Sequence, residues 1–187
     1  WRAVSNNLNA FAQEVMIDEM AAAAGMDPVA YRRILLRDKP LYLGVIDLAA
    51  DRAGWGKPLA AGHFHGVAMI ECYETYGCLI SEIEVKSDGK IKVHKMTYAV
   101  DAGILINPNI AHQQMVSGVV TGFQNAFSEV TIKDGVVQQT NFHQYYLPRM
   151  ADVPPIDIHF VASNRNAGGL GEVGVPLVSP SISNAVF

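Results

Sequence analysis

The stretch GCLISEIEVKSDGKIKVHKMTYAV, residues 77–100, decides the fold class of this chain. Apolar residues dominate residues 77–86 and alternate with polar ones over residues 91–96, which is typical of β-strands. Between these runs, residues 86–90 have the composition of a tight turn, in which Gly89 supplies the positive φ that such turns need. The stretch therefore predicts an antiparallel hairpin of two long strands.

The chain before this hairpin is predicted to be helical. Apolar residues recur there at helical spacing, and Gly25, Asp27-Pro28 and Gly54 mark helix ends. The predicted helices cover residues 12–25, 28–37 and 40–53, and a linker follows at residues 56–62. We therefore divide the chain into a helical segment, residues 1–58, and a second segment, residues 59–187.

The second segment mixes strands with one long helix. Asn107-Pro108 opens a predicted helix over residues 109–127, in which Gly118 and Gly122 indicate close packing against another backbone. The remaining predictions are strands at 64–71 and 156–162, a hairpin at Asp134-Gly135, and a last helix capped by Ser179 with Pro180 in its first turn. Because helices and hairpins come in blocks without regular βαβ alternation, the fold class is α+β, with a helical N-terminal third followed by antiparallel strands and a long helix.

Composition and metal-ligand spacing exclude several functions. Only 17% of the residues are charged and the formal net charge is -4, which argues against a nucleic-acid surface. No apolar run reaches the ~20 residues of a membrane-spanning helix. Cys72 and Cys78 match no zinc spacing and are too few for an iron–sulfur cluster. His63 and His65 alternate on a predicted strand, a pattern common by chance, so no protein metal ligand is predicted.

The run Gly169-Leu170-Gly171-Glu172-Val173-Gly174 satisfies the dinucleotide fingerprint G-x-G-x-x-G. That fingerprint must connect a strand directly to a helix and be followed by an acidic residue about 20 positions later. Here residues 163–167 separate the predicted strand from the first glycine, and Pro176 follows closely. We therefore reject nucleotide binding. By itself the run is typical of a glycine-rich surface loop with a solvated glutamate.

Four segments together resemble the molybdopterin-binding subunit of the xanthine dehydrogenase and aldehyde oxidase family. They are Trp1-Arg2-Ala3-Val4, Thr75-Tyr76-Gly77 leading into residues 81–85, the series Asp101, Asn107-Pro108 and Gln114, and the loop Gly171-Glu172-Val173-Gly174-Val175-Pro176. Because only a short linker separates the helices from the strands, the chain is similar to the bacterial isoquinoline 1-oxidoreductase β-subunit branch. It resembles the C-terminal part of such a subunit, and Trp1 in place of a start methionine agrees with a piece of a longer protein.

The resemblance implies a molybdenum hydroxylase site. Glu172 would be the catalytic base of a reaction in which water supplies the oxygen placed on an aldehyde carbon or on a carbon beside a ring nitrogen. Gly171 would let the backbone approach a bulky metal centre. Gln114 would donate its amide to the cofactor, and Arg2 would contact the pterin phosphate.

The resemblance also implies cofactors and partners. The cofactor would be molybdopterin with molybdenum, in its cytosine dinucleotide form, and the metal would be held by the pterin dithiolene. Electrons would pass to iron–sulfur clusters on a [2Fe-2S] small subunit and from there to an acceptor such as a cytochrome. Relatives in this branch are often exported to the periplasm, although no residue of this chain predicts a location.

Two features depart from the family pattern. Gln114-Met115-Val116-Ser117 stands where relatives tend to have Gln-Met-Glu-Gly, and the chain contains no Gly-Gln-Gly cofactor loop. Much of the cofactor's cradle is therefore expected outside this chain. The alternative function is a non-catalytic module that retains the fold and uses its helices, residues 12–53, for subunit contacts.

Overall fold

A computed structural model describes residues 2–187, and Trp1 lies outside the described residues. The helices are α1 (Asn6–Ala23), α2 (Pro28–Leu35), α3 (Pro40–Ala53), α4 (Pro108–Phe127) and α5 (Val178–Val186). The strands are β1 (His63–Cys72), β2 (Thr75–Val85), β3 (Ile91–Asp101), β4 (Ile132–Lys133), β5 (Val136–Val137) and β6 (Ile156–Phe160). Within residues 2–187, none of the helices has the length and apolar character needed to cross a membrane.

Four of the strands form one mixed sheet in the order β1-β2-β3-β6. β1, β2 and β3 are antiparallel neighbours, which confirms the predicted hairpin. β6 pairs with β3 in parallel, so the expectation of antiparallel strands fails for this element. A parallel pair needs a long crossover, and α4 with the β4–β5 hairpin supplies it. The architecture is α+β, as predicted.

Each face of the sheet carries its own apolar core. On one face, α4 and α5 pack over residues such as Leu79 and Val100. On the other, α2 and α3 pack over Val67 and Ile80. Strands covered on both faces need apolar residues at successive positions, which explains the continuous apolar character of β2. The helices thus share a core with the strands, and the division of the chain at residue 58 stays a prediction.

Two helix boundaries differ from the sequence prediction. α1 begins at Asn6 and not near residue 12, because Ala10 packs into the core and offsets the low helix propensity of the asparagines around it. α5 begins at Val178 with Leu177 as its N-cap, so the prediction that Ser179 caps this helix is wrong. Leu177 and Val178 are both buried, and their packing sets the boundary where a polar cap was expected.

A buried ion cluster joins the first two helices to the sheet. Arg32 of α2 is 1% exposed, donates to the Glu14 carboxylate at 2.9 and 3.1 Å, and pairs with Asp18. The same carboxylate of Glu14 accepts the backbone N–H of Met69 in β1 at 2.8 Å. Burial raises the pKa of Glu14 even though Arg32 opposes this. Charges at this depth persist only when paired, so the cluster fixes α1 and α2 on β1.

Arg32→Met should lower the free energy of unfolding by about 3–5 kcal/mol, because it leaves two buried carboxylates without their counter-ion. Urea unfolding measures this loss. Arg33→Met is the matched control, since the Arg33–Asp47 pair is largely exposed and should contribute less than about 1 kcal/mol. Equal losses in the two variants would contradict the role given to the buried cluster.

Candidate functional site

The segment between β6 and α5 carries Glu172 on a loop that several elements hold in place. We call residues 168–176 the glutamate loop. The hydrogen bonds that fix its first half are Gly168 N–H to Ala102 O and Gly169 N–H to Tyr73 O, both at 2.8 Å, and Thr75 Oγ1 to Gly169 O at 2.9 Å. These partners lie at the ends of β1, β2 and β3, so the sheet itself determines where the loop begins.

The second half of the glutamate loop lies directly against α4. A Cβ placed on Gly118 would be 2.9 Å from the Cα of Gly174, and one on Gly122 would be 2.6 Å from the carbonyl oxygen of Val175. No side chain fits at these distances, so Gly118, Gly122 and Gly174 form what we call the glycine seam. The close packing predicted from the spacing of Gly118 and Gly122 is confirmed.

Tyr73 supplies a polar contact to Glu172 itself. Its hydroxyl donates to Oε2 of Glu172 at 2.7 Å, and this hydrogen bond raises the pKa of Tyr73. Tyr73 and Glu74 form the two-residue turn between β1 and β2, with φ values of 55° and 61° that non-glycine residues rarely adopt. Such strain persists where the surroundings enforce it, and here the hydrogen bond from Gly169 does so.

Gln114 and Arg2 lie against the same part of the glutamate loop and α4. Nε2 of Gln114 donates to the carbonyl oxygen of Gly171 at 2.8 Å, directly before Glu172. Nη1 of Arg2 donates to Oγ of Ser117 at 3.2 Å, one helical turn beyond Gln114. The structure therefore brings Glu172, Gly171 and Gln114 together and places Arg2 close to them.

The apolar residues near Glu172 in the sequence do not surround its carboxylate. Val173, Val175 and Leu177 are buried in the core beneath the loop. Glu172 itself is half-buried, with its carboxylate against the Tyr73 hydroxyl. The buried Tyr98 hydroxyl donates to the carbonyl oxygen of Val173 at 2.9 Å and holds the loop from below. The apolar side chains thus anchor the loop and leave Glu172 accessible.

Asp101 and Arg165 stabilise the segment that leads from β3 into α4. Asp101 is 3% exposed and accepts the N–H of Gly103 at 2.9 Å and Nη2 of Arg165 at 3.0 Å. Burial raises the pKa of Asp101, but these donors outweigh burial and lower it overall. Arg165 also stacks over the ring of Tyr76 at 5.1 Å. Asp101 therefore holds the chain in place ahead of Asn107, whose side chain caps α4.

Tyr73 and Arg165 were not among the residues predicted from the sequence. Tyr73 had a detectable signal, because two strands separated by two residues indicate a type I′ turn, where tyrosine is unusual. Arg165 had no detectable signal in the sequence, because a single arginine in a loop is common in proteins of any function.

The glutamate loop lacks the geometry of a dinucleotide fingerprint. β6 ends at Phe160, well before the first glycine, and α5 begins only at Val178. The glycines face α4 and the β1–β2 turn, so within residues 2–187 no helix N-terminus meets them. This geometry supports the rejection of nucleotide binding.

The molybdopterin cofactor-binding domain family matches residues 5–154, which is well over half of the chain. The chain belongs to this family. The resemblance to the molybdopterin-binding subunits of the xanthine dehydrogenase and aldehyde oxidase family is thereby confirmed.

Individual relatives support this placement. The β-subunit of isoquinoline 1-oxidoreductase from Brevundimonas diminuta is 33% identical over 181 residues, covering 94% of this chain and 23% of the relative. The membrane-bound aldehyde dehydrogenase (pyrroloquinoline-quinone) from Gluconacetobacter polyoxogenes is 30% identical over 207 residues, covering 100% and 27%. The chain therefore spans about a quarter of the length of the curated relatives it matches.

A solved structure shows the same fold. The aldehyde oxidoreductase from Desulfovibrio gigas superposes with a TM-score of 0.71 at 14% identity, covering 100% of this chain and 39% of that one.

The residues around the glutamate loop fit a molybdopterin. A Cβ on Gly171 would meet nothing within 4 Å among the described residues, so a bulky group has room there. Gln114 keeps a second N–H after donating to Gly171, and the guanidinium of Arg2 suits a phosphate. Burial raises the pKa of the Cys72 thiol to about 12, which makes a protein thiolate ligand unfavourable there.

Gly118→Ala should lower the free energy of unfolding by about 1–3 kcal/mol, because the added methyl group forces the glutamate loop away from α4. Gly44→Ala is the matched control, since a Cβ on Gly44 in α3 meets nothing within 4 Å. This second change should raise the stability by about 0.5–1 kcal/mol through helix propensity. Urea unfolding measures the free energy of unfolding of both variants. An unchanged free energy of unfolding in Gly118→Ala would contradict the close contact at the glycine seam.

Glu172→Gln should lower the pKa of Tyr73, because the carboxylate that accepts its hydroxyl proton and opposes its ionisation is gone. An ultraviolet difference titration of the tyrosines against the unmodified protein measures the shift. The tyrosine that titrates at lower pH in Glu172→Gln should be Tyr73. Its signal should therefore be missing in the double variant Tyr73→Phe, Glu172→Gln. An unchanged titration curve for Glu172→Gln would show that the hydrogen bond does not form in solution.

Proposed function

We propose that this domain contributes the general base to a molybdenum hydroxylase, and that Glu172 is this base. One observation carries the proposal: Glu172 projects half-buried from a loop whose backbone the sheet, α4 and Gln114 all fix. A base is effective when its position is held before the substrate arrives. The substrate class would be an aldehyde or an N-heteroaromatic compound, hydroxylated with oxygen from water.

The two carboxylate oxygens of Glu172 would have different tasks. Oε2 accepts the hydroxyl of Tyr73 at 2.7 Å, which orients the carboxylate. Oε1 would then receive the proton from the water-derived hydroxyl that attacks the substrate carbon. Each turnover converts a C–H bond and water into a C–OH bond and releases a pair of protons and a pair of electrons. When bound, the molybdenum cofactor supplies the electron-accepting metal.

Gln114 and Arg2 would hold the cofactor from the side of α4. One N–H of the Gln114 amide donates to the carbonyl oxygen of Gly171, and this hydrogen bond orients the amide. The second N–H would donate to the cofactor. Arg2 rests on Ser117, the residue that stands where relatives tend to have glycine. The serine hydroxyl thus gives Arg2 a support that a glycine would lack, and the guanidinium would contact the phosphate of the pterin.

The partners follow from the chemistry of the proposed reaction. The released electrons must leave the site, and we propose a [2Fe-2S] small subunit as their acceptor, with a cytochrome further along. The cytosine dinucleotide form of the cofactor is likewise a proposal. The name of the Brevundimonas diminuta relative, a β-subunit, supports an assembly of more than one subunit.

The alternative is a non-catalytic module that keeps the fold. It predicts that the complete protein carrying this domain binds no molybdenum. Metal analysis of that protein separates the two functions, because stoichiometric molybdenum is expected only for the enzyme.

Glu172→Gln should lower kcat by about 10²–10⁴-fold in the complete enzyme, because the amide cannot accept the proton. Steady-state rates are measured with aldehyde and N-heteroaromatic substrates, alongside the molybdenum content of each preparation. Glu19→Gln is the control, since Glu19 is exposed on α1 and should leave the rate unchanged. Full activity of Glu172→Gln at normal molybdenum content would refute the proposed base.

A further inference from the structure

A second polar cluster lies on the sheet far from the glutamate loop. His63 of β1, Glu82 and Glu84 of β2, and His94 of β3 form what we call the histidine cluster. His63 opens β1 and pairs in register with Glu84, while Tyr73 and the glutamate loop lie beyond the other end of this strand. At about 3.3 Å per residue, the length of β1 separates the two sites by roughly 30 Å.

His94 lies at a β-bulge beside Glu84. The register of β2 and β3 shifts between Glu82 and Ile83, so that His94 is the extra residue between Val93 and Lys95. Nε2 of His94 lies 2.9 Å from Oε2 of Glu84.

The ligand atoms of the cluster lie close enough to share one ion. One ligand atom each from His63, Glu84 and His94 lies within 4.8 Å of the other two. The two imidazole rings stack with centroids 4.2 Å apart. A tetrahedral zinc site requires ligand atoms about 3.3 Å apart, as follows from bonds of about 2.0–2.1 Å. All three side chains are half-buried, and binding of an ion would require the ligand atoms to move closer together than they are here.

Glu82 adds the outer partner that metal-binding histidines usually have. Its Oε1 lies 2.7 Å from Nδ1 of His63, which fixes the orientation of the ring and leaves Nε2 for an ion. Glu84 adds a carboxylate oxygen, and its Oε2 lies 2.9 Å from Nε2 of His94. Two neutral imidazoles and one carboxylate form a familiar three-residue zinc ligand set.

We propose that His63, Glu84 and His94 bind a zinc ion, with Glu82 positioning His63. The ion would tie β1, β2 and β3 together at the end of the sheet remote from the glutamate loop. The sequence did not indicate this site, because its histidines come from two strands that are far apart in the chain. His65, two residues after His63 on β1, stacks on Trp55 with centroids 5.7 Å apart.

Isothermal titration with zinc chloride tests the proposal on the complete protein carrying this domain, purified without a histidine tag. We expect one additional zinc per chain, bound at least about tenfold more weakly after either His63→Ala or His94→Ala. Glu82→Gln should weaken binding by about 10–100-fold without removing a ligand. His112→Ala and His143→Ala are matched controls on exposed histidines and should leave the affinity unchanged.

Cobalt provides an independent readout. Titration with Co²⁺ should produce visible absorption bands of a four- or five-coordinate site, and these bands should be missing in the double variant His63→Ala, His94→Ala. Far-ultraviolet circular dichroism verifies that each variant is folded. Absence of zinc binding, or an affinity that neither histidine variant changes, would overturn the proposal.

Discussion

The candidate site depends on the close approach of the glutamate loop to α4. Gly118 and Gly122 on the helix and Gly174 on the loop bring two backbones within a distance that no side chain permits. This contact places Gly171 beside Gln114, and it does so with backbone atoms that have little freedom to move. The glycine seam thus fixes the part of the loop that follows Glu172.

The sheet supplies the second constraint on the loop. Tyr73 and Glu74 adopt positive φ at the turn between β1 and β2, and this turn meets the loop through both its backbone and the Tyr73 hydroxyl. The strained turn and the ordered loop therefore depend on each other, because the same hydrogen bonds hold both in place. The buried Arg32 cluster and the paired Asp101 act at greater distance, since they fix the helices and strand ends from which these contacts start.

The sequence predicted those parts of the fold that depend on local pattern. The long hairpin of β2 and β3, the extent of α3 and the tight packing at Gly118 and Gly122 all follow from periodicity and turn chemistry. The sequence did not predict that β6 pairs with β3 in parallel, because strand partners far apart in the chain leave no local signal. For the site, Glu172 and Gln114 came from a family resemblance, whereas Tyr73 and Arg165 emerge only when strand ends and loop are placed together in space.

The contacts that hold the loop also set the position of Glu172, the proposed base. The contacts that orient Glu172 come from Tyr73, Gln114 and the glycine seam, all within residues 2–187. Protein contacts therefore position the Glu172 carboxylate, as preorganisation of the proposed base requires. Much of the cofactor-binding surface is expected elsewhere in the larger subunit, because this chain contains no Gly-Gln-Gly loop. The proposal therefore assigns placement of the base to this fold and most of the cofactor binding to other stretches of the larger subunit.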